Sequence, residues 1–303
     1  MISVVLMAYG TPRSREEILP YYTDIRRGRP PTDELLAELT GRYEAIGGLS
    51  PLAALTEAQR DAVQHALDSF QPGRFRVTLG LKHAHPMIEE AVANVANVGV
   101  EKIVGLVLAP HYSSYSIGQY VGRATTAAEP NGIEVIGIDS WATEPAFITF
   151  LADDMRSRLA KMPPKTKVLF TAHSLPQRII DAGDPYPQEL RATAVAVAEA
   201  VGLREGEQWA IAWQSAGRTP EPWIGPDVLD AIDALAASEN PPGGVLVCAC
   251  GFVADHLEVL FDLDIEAKKH AEARGLVFDR TTCVNDNPEV MAALARRIIE
   301  AAG

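Results

Sequence analysis

Cysteine is scarce: Cys248, Cys250 and Cys283 are the only three in 303 residues. Three cannot staple a disulfide scaffold, and they point to a reducing, cytoplasmic setting. They also fall short of the four ligands an ordinary iron–sulfur cluster needs. Cys248 and Cys250 are expected on opposite faces of a strand, and all three read as buried and inert. Long apolar runs are missing too. No stretch reaches the roughly 18–20 residues of a membrane span, so no integral membrane association is expected. The segment Met1–Met7 lacks the basic flank of a signal peptide and reads as a strand. Positive charge is in deficit, with 27 Lys+Arg against 40 Asp+Glu and a net charge of −13. That balance argues against a broad nucleic-acid or anionic-membrane surface, while leaving room for a small basic pocket. Walker A, nucleophile-elbow and dinucleotide glycine motifs are all absent.

What is present is the composition of a globular protein, 47% hydrophobic and 22% charged, at a length that suits two domains or one large one. Short apolar, β-branched runs alternate with helical patterns. The runs are Val4–Met7, Val77–Leu81, Ile103–Leu108, Val135–Ile138, Val168–Thr171, Trp209–Ala212 and Val245–Cys250. Between them, Thr56–Ser69, Pro86–Val98, Pro145–Lys161, Pro187–Val201 and Pro226–Ser238 read as helices. This is the pattern of α/β folds whose parallel sheets are covered on both faces. Ligands in such folds bind beyond the carboxyl ends of the strands.

The two halves echo each other. Val4–Pro12 and Val168–Pro176 are both apolar strands leading into Ala, a ring residue, a small residue and Pro. Thr143-Glu144-Pro145 and Asp286-Asn287-Pro288 each offer a polar cap before a Pro-initiated helix. The alternative is chance similarity among α/β units. A real repeat puts the boundary near Met162-Pro163-Pro164 and sets Tyr9 and His173 at matching strand ends, facing a cleft.

Three segments carry candidate chemistry. In Ala172–Pro176, His173 follows a strand and can bind a metal or take a proton; a turn histidine is the plainer reading. In Gly251–Glu266, a helix would align Glu258, Asp262 and Glu266 at i, i+4 and i+8. Like charges at that spacing repel, which suits a cation path better than stability; a solvated acidic face is the alternative. Asp255 and His256 read equally as cap or structural residues. The third segment is basic, with Arg26-Arg27-Gly28-Arg29 followed by Arg42–Leu52. Arginine forks suit carboxylates, and Gly47-Gly48-Leu49-Ser50-Pro51 must be a loop. Tyr112, Tyr115 and Tyr120 add aromatic surface. Together these suit a flat apolar ligand with carboxylate arms.

These residues resemble the ferrochelatase family from Met7 to the C-terminal helix. The resemblance runs through Met7–Pro12, Tyr21–Arg29, Arg42–Leu52, Gly80–His83, Leu108–Ser113, Ala172–Pro176, Trp213–Ser215, Pro222–Asp227 and Gly251–Asp262. Within the family it is nearest to the soluble Gram-positive enzymes that insert ferrous iron into coproporphyrin III. The resemblance implies two Rossmann-like, chelatase-type domains, residues 1–161 and 162–303, with the porphyrin in the cleft between them. It implies His173 and Glu258 as the iron-binding and proton-handling pair. Tyr9 would lie on the opposite porphyrin face, and Arg26, Arg42, Tyr43, Ser50 and Tyr120 would contact the macrocycle or its propionates. Asp262 and Glu266 would relay metal or protons. Fe²⁺ is then a substrate, and no permanent cofactor is expected. Some relatives hold a [2Fe–2S] cluster partly through a C-terminal cysteine extension; nothing like it follows the last helix here, so none is expected. A monomer is implied, with transient contacts to neighbouring heme-pathway enzymes. Alternatives are a protoporphyrin IX ferrochelatase, a cobalt or nickel chelatase, and a non-catalytic tetrapyrrole or heme carrier.

Overall fold

The computed structural model describes every residue except Val98, Glu101 and Arg218. Among the described residues, eight strands form two four-stranded sheets in which every neighbouring pair is parallel. The first holds β1 (Ile2–Ala8), β2 (Phe75–Leu81), β3 (Lys102–Val107) and β4 (Glu134–Ile138), in the order β2-β1-β3-β4. The second holds β5 (Lys167–His173), β6 (Trp209–Gln214), β7 (Gly244–Cys248) and β8 (Val277–Arg280), in the order β6-β5-β7-β8. The matching orders give the sequence echo a structural counterpart. Each sheet reverses its winding beside its first strand, the place where open α/β sheets leave a crevice. Tyr9 follows β1 at one reversal and His173 ends β5 at the other.

In the first half, α1 (Ile18–Ile25), α2 (Asp33–Ala45) and α3 (Leu52–Phe70) separate β1 from β2, while α4 (Ile88–Ala96) and α5 (Ile117–Ala128) cover one sheet face. Val98, inside the helix expected from sequence, lies outside the described residues. The second half adds α6 (Pro145–Leu159), α7 (Gln177–Asp181), α8 (Tyr186–Val201), α9 (Val228–Ala236), α10 (Leu257–Leu260), α11 (Lys268–Glu272) and α12 (Pro288–Ala302). Helices α9 and α11 line one face of the second sheet.

The other faces are shared. Helix α6 follows β4 yet packs against α8 and β7, whereas α12 ends the chain and packs against α3, β3 and β4. One continuous core therefore runs from Val4, Leu6 and Leu67 through Phe147 and Met155 to Phe170, Leu190 and Leu294. The two crossing helices start as the Pro motifs foretell. Pro288 opens α12, and the Asn287 side chain accepts hydrogen bonds from the Glu289 and Val290 N–H groups at 3.1 Å. Pro145 opens α6, but Glu144 does not cap it; its carboxylate pairs with Arg297 of α12 at 2.5 Å.

Cys248 and Cys250 both face this shared core, and Ala249 faces the opposite one. The expectation of opposite faces is overturned, because residues two apart on extended chain share a face.

Candidate active site

Strand β5 delivers His173 to a turn fixed on several sides. The Ser174 N–H donates to the Gln214 carbonyl at 2.8 Å, and the Ser174 hydroxyl donates to the Ile224 carbonyl at 2.7 Å. The His173 Nδ1 lies 2.5 Å from the Ser174 carbonyl oxygen. A carbonyl can only accept, so Nδ1 carries a proton, and in the neutral form of the ring the lone pair lies on Nε2. Beyond β7, Gly251 closes against β5. A Cβ there would come within 2.4 Å of the Ala172 Cβ, so only glycine permits this approach. The following loop pins His256 the same way, with Nδ1 at 2.9 Å from the Ala254 carbonyl. Both rings thus turn Nε2 toward one oxygen of Glu258, at 3.7 Å from His173 and 3.8 Å from His256.

Desolvation alone would raise the Glu258 carboxyl. In their protonated form His173 and His256, the second also donating Nε2–H to the carboxylate, outweigh this with Arg42 behind them and take its pKa down to about 2. Asp262, one turn on, goes the other way. Burial raises it to about 6, helped by the charges of Glu258 and Glu266 and opposed by Arg42 and the Ser215 hydroxyl. Two carboxyls on one short segment are therefore pushed apart in acidity, as acid–base pairs at reaction sites are.

The sequence expected one helix over this segment. The structure has a single α-turn, α10, followed by a π-helical stretch from Asp262 to Ala267. The Glu266 N–H reaches back five residues to the Phe261 carbonyl at 2.9 Å. The wider π-turn departs from the regular i, i+4 alignment that an α-helix would give Glu258, Asp262 and Glu266. Val259, Leu263 and Ala267 fill the core beneath. Asp262 is buried, while Glu266 is exposed.

The first half meets this segment directly. Leu257 and Phe261 pack against Ile18, Leu36, Leu39, Tyr43 and Ile46 of the α1–α2 region. Arg42 stacks over the Phe261 ring at 4.5 Å and donates to Asp262 Oδ1. The other Asp262 oxygen accepts from the Ser215 hydroxyl at 2.6 Å. Tyr9 is 42% exposed, with its ring 4.6 Å from that of His83, whose Nδ1 lies 2.6 Å from Asp24. Desolvation, then the charges of Glu258 and Asp24, hold the Tyr9 phenol well above its ordinary pKa. Tyr9 therefore lies within the electrostatic reach of Glu258.

Tyr43 is buried, its phenol raised by desolvation against a hydrogen bond with Thr11. The buried Ser50 hydroxyl accepts from the Leu52 N–H at 3.2 Å and so helps start α3. Gly47 and Gly48, at φ 94° and 127°, make the loop before it. Tyr120 is buried rather than part of an aromatic surface, with Lys82 5.0 Å from its ring centre. Arg26 lies half-buried at the end of α1, over the Tyr22 ring at 5.7 Å. Among the described residues, no three His, Cys, Asp or Glu side chains are grouped as a metal centre.

A family model described as ferrochelatase matches residues 1–302. The chain belongs to the ferrochelatase family. It is 45% identical over 298 residues to a relative from Halalkalibacterium halodurans named coproporphyrin III ferrochelatase, covering 97% of this chain and 95% of that one. A relative of the same name from Bacillus subtilis is 42% identical, covering 100% and 98%. Among solved structures, SirB from Bacillus subtilis with Fe³⁺ aligns at a TM-score of 0.58 with 10% identity, covering 100% of this chain and 96% of that one. At that identity the likeness speaks for the two-sheet, Rossmann-like fold alone.

In this ferrochelatase scaffold, the structure brings His173 and His256 to Glu258 and joins Arg42 to Asp262. Sequence reasoning passed over three participants. His256 looked like a cap, yet its ring presents Nε2 to Glu258. Gln214 holds the Glu258 carbonyl through its Nε2 at 3.3 Å, and its own oxygen accepts from the Thr171 hydroxyl at 2.9 Å. Ser215 adopts φ 58°, a left-handed conformation uncommon for serine, and in it reaches Asp262. The Trp213-Gln214-Ser215 motif was visible, but roles set by a turn's backbone are not written in residue type.

Proposed function

We propose that the protein inserts ferrous iron into coproporphyrin III, giving Fe-coproporphyrin III (coproheme) and two protons, in heme biosynthesis. The observation that carries this reading is Glu258 flanked by two imidazoles, each locked by its Nδ1 so that Nε2 faces the carboxylate. Insertion must take two N–H protons from the macrocycle while a divalent cation arrives. A neutral His173 Nε2 can accept a proton or lend its lone pair to Fe²⁺, and the ionised Glu258 neutralises the metal's charge. His256 offers a second acceptor, and Asp262, with a pKa of about 6, is poised to pass protons toward exposed Glu266. Tyr9 stands on the opposite face of the ring. Arg26, Arg42, Tyr43, Ser50 and Tyr120 hold the macrocycle and its carboxylate arms, and that binding energy bends the ring to expose its nitrogens.

Arg42 already pairs with Asp262, so an incoming carboxylate arm competes with it. In this reading the halves 1–161 and 162–303 act as two domains that wall the cleft taking the ring. The protein works as a cytoplasmic monomer that passes coproheme on by transient contact. Among the described residues no helix is long and apolar enough to cross a membrane. The names of the Halalkalibacterium halodurans and Bacillus subtilis relatives support coproporphyrin III as the substrate. The test is anaerobic Fe²⁺ insertion into coproporphyrin III and protoporphyrin IX, followed optically. The expected result is a higher kcat/KM with coproporphyrin III. A preference for protoporphyrin IX overturns the substrate, and tight binding of either without insertion overturns the enzyme.

A further inference from the structure

We infer that Arg280 is a positioning residue that holds the segment from Asp255 to Asp264 in the shape metal insertion requires, an inference that rests on the function proposed above. Arg280 ends β8, the edge strand, and its side chain is only 13% exposed. All three guanidinium nitrogens are engaged. Nε and Nη2 form a fork on Asp264, at 2.6 and 2.9 Å from its two oxygens. Nη2 also donates to Asp255 at 3.0 Å, and Nη1 donates to the Thr281 carbonyl at 3.1 Å.

The two aspartates bracket the chemistry. Asp255 immediately precedes His256 and lies three residues before Glu258. Asp264 lies between Asp262 and Glu266. One cation therefore ties down both ends of the stretch that carries His256, Glu258 and Asp262. That stretch needs an outside hold. It passes from one α-turn through a π-helical stretch into α11, and a π-turn is an uncommon geometry that the helix does not adopt by default. A lone fork of this kind contributes little net stability, since desolvating the charges offsets their attraction. Fixing a geometry is the better account of it.

A second grip points the same way. Asn285, at φ 49°, accepts from the Asp255 N–H at 2.9 Å and donates to the Asp255 carboxylate at 3.0 Å. The Asn285 carbonyl in turn accepts from Gln59 of α3 at 2.8 Å. A line of hydrogen bonds thus runs from a helix of the first half, through Asn285 and Asp255, to the residue beside His256. Arg280 completes it from the edge strand. Neither Arg280 nor Asn285 touches Glu258, so both act through Asp255 and the backbone.

The test uses the whole protein with Arg280→Gln and Arg280→Lys. Amide hydrogen exchange reads the hold without reference to activity, and steady-state insertion reads its consequence. In Arg280→Gln, exchange across residues 256–264 is expected to speed up while α5 stays unchanged. Its kcat/KM for Fe²⁺ is expected to fall about 10–100-fold, the usual cost of losing a supporting contact behind a metal ligand. Coproporphyrin III affinity is expected to stay within about twofold of wild type, because the arginines that hold its arms are elsewhere. Arg280→Lys restores the charge without the fork and is expected to recover part of the loss. If Arg280→Gln does not fold, Asp264→Asn removes the fork at the half-exposed end, with the same readouts. Unchanged exchange overturns the inference, and so does faster exchange with wild-type iron kinetics or an equal loss of porphyrin binding. A wild type that inserts no iron overturns the proposed function instead, while the exchange result still decides the hold.

Discussion

The ends of β1 and β5 occupy equivalent places in two sheets of the same strand order, yet their chemistry differs. Around β1 stand Tyr9, His83 and Tyr120, with arginines from α1 and α2: rings and cations that suit a flat polyanion. Around β5 stand His173, His256, Glu258 and Asp262: imidazoles and carboxylates that suit a metal and protons. A repeated scaffold can divide one reaction between its copies, one half holding the ring and the other working on its centre. The helices α6 and α12, each packed in the other half, keep the two registered through one core.

Breaking the second half should cost the most. His173→Ala is expected to lower kcat at least about 100-fold, the scale of a lost general base. Coproporphyrin III affinity should stay near wild type, as fluorescence quenching and single-turnover insertion would measure. Breaking the first half should shift binding instead. Arg42→Met is expected to raise KM for coproporphyrin III about tenfold, one charge-assisted contact's worth. Steady-state kinetics showing an unchanged KM would remove Arg42 from the porphyrin site.

The comparison sharpens with pH. The folded Asp262 pKa is raised to about 6 from 3.8, so the folded state binds this proton more tightly than the unfolded chain. Its contribution to stability is present below about pH 4 and lost as pH rises through about 6. Glu258 is lowered to about 2 from 4.5, so its contribution is present above about pH 4.5 and lost as pH falls toward 2. Urea unfolding from pH 4.5 to 7 should show that Asp262→Asn removes a downward slope on the order of 1–3 kcal/mol. An unaltered slope would contradict the raised pKa. The smallest effect belongs to the scaffold: Asn287→Ala should cost about 1 kcal/mol of stability through its lost cap, leaving KM for both substrates unchanged.

Much of the fold was legible because internal strands write themselves as apolar runs. Seven of the eight strands coincide with such runs. The eighth, β8, is four residues with Asp279 and Arg280 in it, too short and polar to stand out. Helix α5 carries Gly118, Gly122 and two threonines, weak helix formers, and owes its shape to packing on β3 and β4. The exchange of α6 and α12 between halves is a tertiary fact without a local signal. At the site, His173, Glu258 and the acidic spacing could be read directly. The π-turn, the left-handed Ser215 and the turned ring of His256 arise from backbone geometry that residue types do not encode.

The division of labour is tested most directly by loading Glu258→Gln with coproporphyrin III, measuring its Kd, and then adding Fe²⁺ anaerobically to the same sample. The predicted result is a Kd within about twofold of wild type and insertion slowed more than about 100-fold. Insertion at the wild-type rate, or loss of porphyrin binding in step with insertion, would contradict it.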